Sequence, residues 1–171
     1  MRTQLYIDGE LRTVDIKDGR ITTVNEEPTQ PKTGWERVNV GETYFTLTQY
    51  KPHEQGEDND ANDQKMYDSA NYFSDGKIAA DVFRAQTIWR KLLRWQAEND
   101  NPAPENRYCI WFDNYEGIPK IKPYFSSNCD KYPFGIKFSS SQAAQEAIKI
   151  FYDELMWYFT KFNPRLDGGV E

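Results

Sequence analysis

Five carboxylates, Glu54, Glu57, Asp58, Asp60 and Asp63, crowd one short stretch of this chain beside its single histidine, His53. A histidine among carboxylates is raw material for general acid–base catalysis, because its ordinary pKa of about 6.5 lets it exchange protons near neutrality. Catalysis also needs a nucleophile or an orienting partner, and no serine or cysteine constellation can be tied to His53. The run "DNDANDQKMYDS" invites a test for calcium: Asp58, Asp60 and Asn62 match the first three oxygen donors of an EF-hand loop. Asp63, however, stands where that loop requires glycine, and Ser69 where it requires a bidentate Glu. The sequence holds neither a glycine-rich phosphate loop nor a Cys-x-x-Cys pair. It reads as non-enzymatic, without a resident metal or cofactor.

A second constellation is basic. Arg84, Arg90, Lys91 and Arg94 fall within eleven residues, with Trp89 and Trp95 beside them. At about 100° per residue, Arg84, Lys91 and Arg94 share one flank of a helix while an apolar stripe that includes Trp89 turns inward. Such a flank is either a solvated face near a helix C-terminus or a patch for phosphates or an acidic partner, with Trp95 available for stacking. The acidic stretch has two readings as well. It provides solubility, or it presents a row of negative charge to a protein that normally accepts nucleic acid.

The charge balance separates these alternatives only in part. The net charge of −6 disfavours general affinity for a phosphate backbone. Residues 51–75 nevertheless carry seven acids against two bases, and residues 76–95 five bases against one acid. An acidic segment therefore adjoins a basic one. No stretch approaches the roughly 20 apolar residues of a membrane span, and the start "MRTQLYIDGE" lacks a signal-peptide core, so a cytoplasmic location is expected. Cys109 and Cys129 are read as thiols rather than a disulfide framework.

The elements that must position these groups follow from periodicity. Residues 3–24 alternate apolar and polar side chains and are broken at Asp8-Gly9 and Asp18-Gly19, which predicts a three-strand meander with tight turns. "NEEPTQPKTG" reads as a linker, Thr43 to Tyr50 as a strand, and the acidic stretch as a solvated loop. An internal repeat then emerges. Tyr44, Tyr67 and Phe73 are matched in spacing by Tyr108, Tyr132 and Phe138, with helices expected after Ser74 and Ser139. Ser139 with Gln142 suggests a capping box. Ala79, Val82, Phe83, Trp89, Leu92 and Leu93 mark the first apolar stripe; the second helix adds Ile150, Met156, Trp157 and Phe159 and is expected to be the more buried. Pro119 and Pro123 suit an edge strand.

The expected fold is α+β: an N-terminal antiparallel β-meander followed by two tandem strand-and-helix (ββα-like) units packed as one globule. The divisions expected are 1–34 for meander and linker, 35–101 for the first unit and 102–171 for the second.

"TGWERVNVGETYF", "YDSANYFSDGKIAADVFRAQTIWRKLLRW" and "ELMWYFTKFNPRLD" resemble a family of small proteins carried by phages and mobile elements of gut Firmicutes. The resemblance spans nearly the whole chain and rests on framework residues. It looks like a type II anti-CRISPR protein, which implies inhibition of a Cas9 effector with its guide RNA by binding, and implies no catalytic residue. The candidate contacts, Glu54, Glu57, Asp58, Asp60 and Asp63 on one side and Arg84, Arg90, Lys91, Arg94 and Trp95 on the other, come from charge alone. The alternative is a nucleic-acid-binding module that uses helix 84–95.

Overall fold

The structure, a computed structural model, describes residues 2–7, 10–17, 20–23, 33–100, 108–114, 117–126 and 134–162. The chain divides into two compact units, Met1–Glu36 and Arg37–Glu171. In the first, β1 (Arg2–Ile7), β2 (Glu10–Lys17) and β3 (Arg20–Thr23) form an antiparallel meander. The end pairs Ile7↔Glu10 and Lys17↔Arg20 flank the two Asp-Gly dipeptides. The dipeptides themselves lie outside the described residues, as do residues 25–32 of the linker, Tyr132 and Cys129.

The second unit is α+β. A hairpin of β4 (Thr43–Leu47) and β5 (Pro52–Gly56) leads through α1 (Ala61–Asp68) into the long α2 (Gly76–Asn99). A second hairpin, β6 (Tyr108–Asp113) and β7 (Lys120–Phe125), leads into α3 (Ser141–Ile150), α4 (Tyr152–Trp157) and a π-helical turn, Tyr158–Phe162. A two-stranded hairpin is marginal in water, and each is reinforced in the same way. Phe73 returns to bridge Phe45 antiparallel, and Phe138 returns to bridge Tyr108. Each bridging residue lies two positions before a helix N-cap, Asp75 and Ser140.

This is the physical content of the repeat: hairpin, returning bridge, capped helix. The register expected from sequence paired Tyr44 with Tyr108, whereas the backbone equates Phe45 with Tyr108. Successive strand residues face opposite ways, and buried Tyr44 projects to the other side from Phe45. The caps also sit one residue later than expected. Asp75 accepts from Lys77 N and Ile78 N, Ser140 accepts from Ala143 N, and Gln142 bonds Glu146 instead of closing a box. Gly76 follows the first cap because a Cβ there would lie 2.8 Å from the Phe45 ring.

Two further expectations are corrected. The acidic stretch contains β5 and α1 where a solvated loop was expected. The second helix is interrupted at Phe151, and Ile150 is 57% exposed on its outer side. Near its end Thr160 donates to Met156 O at 2.7 Å, a back-bond of the kind that bends helices.

The main core joins the two copies. Ile88 and Leu92 of α2 pack with Ile110, Phe138, Ala144, Ala147, Ile148, Leu155 and Phe159. Burying a side chain such as Phe138 or Leu155 stabilises by about 1.5–3 kcal/mol. β7 is an edge strand and carries Pro123, as the prolines implied. Cys109 is a buried thiol whose Sγ donates to Tyr124 O at 3.4 Å. No helix among the described residues is long and apolar enough to cross a membrane.

Candidate functional site: an anchored acidic hairpin and a basic groove

Two of the five clustered carboxylates point inward. Glu57 follows β5 and is 1% exposed; Asp63 lies in the first turn of α1 and is 4% exposed. A buried charge survives only when paired and hydrogen-bonded, and both are. Arg37 grips Glu57 with two bonds, Nε to Oε2 at 3.2 Å and Nη2 to Oε1 at 2.9 Å, while its Nη1 donates to Gln64 at 2.7 Å. The Tyr72 hydroxyl donates to Glu57 Oε2 at 2.7 Å and accepts from Val38 N at 3.2 Å, and Asn59 N donates to Glu57 Oε1 at 2.9 Å.

Asp63 is held on the other side. The Tyr44 hydroxyl donates to its Oδ1 at 2.8 Å, and the amides of Asp58 and Asp60 donate to its Oδ2 at 2.9 and 3.2 Å. Asp60 in turn caps α1, accepting from Asn62 N and Asp63 N, so Asp60 and Asp63 form a capping box. The rings of Tyr44 and Tyr72 stack at 4.0 Å and close the cluster from the core side.

Protonation follows these contacts. Arg37 holds the Glu57 carboxyl below its ordinary 4.5, helped by Tyr72 and the Asn59 amide and opposed by desolvation. The Tyr44 hydroxyl does the same for Asp63 against the same opposition, with the Asp58 and Asp60 amides adding to it. Burial, then the bond to Glu57, pushes Tyr72 up to about 12; burial, then Asp63, pushes Tyr44 well above its ordinary 10. The Glu57 bond raises Arg37 as well.

Glu57 and Asp63 are therefore structural anchors and not contact residues, which corrects the reading from charge. Glu54, Asp58 and Asp60 remain exposed, as does His53 on β5 opposite Thr46. The Asp and Asn run that resembled a calcium loop is a helix start: Asn59 takes φ +57°, which Asn tolerates, and Asp60 is occupied by capping. No metal-ligating cluster occurs among the described residues. A signal for this helix was present in the Asp60-x-x-Asp63 spacing, hidden by the low apolar content of α1.

The basic residues separate into two places. Arg84 lies over the Trp157 ring at 3.9 Å. Arg90, Lys91 and Arg94 line a groove of about 530 Å³ with Gln49, Tyr50 and Thr87, between the β4–β5 turn and α2. Lys91 pairs with Glu154 at 3.0 Å; Arg90 Nε donates to Gln86 O at 3.3 Å. The two tryptophans exchange the roles expected of them. Trp95 packs against Phe138 in the core, and Trp89 is 43% exposed, its Nε1 donating to Phe134 O at 3.1 Å. Trp89 lines an apolar recess of about 280 Å³ with Val82, Phe134, Tyr158 and Phe162. Tyr50, 83% exposed and expected from sequence only as the end of a strand, lines the same groove as these cations, together with the partly buried Phe83.

No protein-family model, curated protein or solved structure matches this chain.

Proposed function

We propose that the chain is a non-enzymatic protein of a phage or mobile element that acts in the cytoplasm of its bacterial host, where it binds and inhibits a defence nuclease. The anti-CRISPR resemblance points to Cas9 with its guide RNA as the effector. One observation carries the reading: the amides of Asp58 and Asp60 are both tied to the buried Asp63 carboxylate, and Glu54 lies on the paired strand β5. Their exposed carboxylates thus stand on a backbone that is ordered before any partner arrives. Ordering a loop on binding costs about 0.5–1.5 kcal/mol per immobilised side chain, and preorganisation avoids part of that cost. A guided nuclease holds its heteroduplex in a positively charged channel, and a fixed row of carboxylates competes there with phosphates.

DNA cleavage by guide-loaded Cas9 in the presence of the purified protein tests the proposal. Cleavage should fall with increasing protein and recover with rising salt, since exposed charges are screened within about 8 Å at physiological ionic strength. Unchanged cleavage at large molar excess across several orthologues would refute it.

A further inference from the structure

The groove between the β4–β5 turn and α2 combines two features that single-stranded nucleic acid requires. One wall is cationic. Arg90 and Arg94 are both exposed and lie four residues apart on α2, about one helical turn, so their guanidiniums share a side. Lys91 adds a third cation, already paired with Glu154, and Thr87 and Gln49 supply neutral polar groups. The other wall is aromatic. Tyr50 is 83% exposed, yet its turn is well fixed: Thr48 N donates to Lys51 O at 3.0 Å, and Thr48 Oγ1 accepts from Lys51 N at 3.2 Å and Tyr50 N at 3.4 Å. An aromatic ring held on a rigid turn opposite paired guanidiniums is a platform for a flat ring that carries phosphate.

We infer that this groove binds single-stranded nucleic acid, stacking a base on Tyr50 and taking adjacent phosphates on Arg90 and Arg94. A duplex fits poorly, because its bases are already stacked on one another and offer Tyr50 no free face. The net charge of −6 does not oppose local binding, since a cleft focuses the field of the charges that line it. The site lies on α2 and the turn and does not use the carboxylates of β5 and α1, so it stands or falls separately from nuclease inhibition.

Fluorescence anisotropy with a labelled single strand of about ten nucleotides, of RNA and of DNA, tests the inference on the whole protein. Neutralising two phosphates gives a salt slope of about −1.4, so affinity should drop about 7-fold between 50 and 200 mM salt. Tyr50→Ala removes one stacking partner and should weaken binding about 5-fold or more. Arg90→Ala with Arg94→Ala should abolish the salt dependence, whereas Lys149→Ala on α3, which removes one positive charge outside the groove, should leave binding unchanged. Tyr50 is exposed, so its loss leaves the fold intact, which circular dichroism verifies. Absent binding, equal affinity for the matched duplex, or indifference to Tyr50→Ala overturns the inference.

Discussion

Replacing Tyr72 with Phe removes one oxygen from the interior and leaves the ring stacked on Tyr44. That oxygen donates to the Glu57 carboxylate at 2.7 Å and accepts from Val38 N at 3.2 Å. A bond to a charged group contributes about 1.5–3 kcal/mol, and leaving the partly buried Val38 amide without its acceptor costs about 0.5–1 kcal/mol more. The expected destabilisation is about 2–4 kcal/mol, a large share of the roughly 5–15 kcal/mol that holds a domain together. At about 4 °C per kcal/mol for a unit of this size, the melting midpoint should fall by roughly 8–16 °C. Tryptophan fluorescence reports the right transition, because four of the five tryptophans lie beyond residue 36. A loss below about 0.5 kcal/mol, the range of an ordinary surface substitution, would mean that the buried carboxylates do not anchor the acidic hairpin.

Two other predictions follow from the same packing. Glu57 and Asp63 have lowered pKa values, so their contribution is complete above the ordinary values of 4.5 and 3.8 and is lost as pH falls through the lower folded values. Tyr44 and Tyr72 are raised, so theirs is complete below 10 and is lost as pH rises, for Tyr72 through about 12. Urea midpoints should therefore be flat in this respect from about pH 5 to 10, and Tyr72→Phe should move the acid fall upward; a steady decline across the neutral range contradicts the assignment. Leu155→Ala should cost about 2–5 kcal/mol in urea unfolding and Ile150→Ala less than about 0.5 kcal/mol, and comparable costs would mean that Ile150 is buried.

What the sequence made legible were features with a local cause. Asp-Gly between alternating runs placed the meander turns, and proline placed β7 at an edge. The repeat was visible because a strand, its returning bridge and a helix cap have similar lengths in both copies. The first apolar stripe was misjudged by its centre. The buried set is Ala79, Ala85, Ile88 and Leu92, and with Ile88 as the axis Trp95 falls about 20° away and Trp89 about 100° away. Omitting Ile88 moved Trp89 inward and Trp95 outward.

The acidic site was less legible because its determinants are distant in sequence. Nothing near Glu57 announces that Arg37, twenty residues earlier, will pair with it, or that Tyr72 will close over both. A run of acids carries the same composition whether its members are solvated or anchored. The place of Tyr50 was hidden for a similar reason, since the cations that share its groove lie on a helix forty residues later.

The central claim is that the exposed carboxylates on this anchored backbone meet a nucleic-acid-binding surface of a defence nuclease. It is tested most directly by equilibrium binding of guide-loaded Cas9 to the protein and to a triple variant, Glu54→Gln, Asp58→Asn and Asp60→Asn. Asn retains the helix cap, so the variant keeps its fold and loses three charges. The account predicts that the native protein binds, that excess target DNA displaces it, and that the variant binds at least tenfold more weakly. Equal affinity of the two proteins, or binding that target DNA does not disturb, would contradict it.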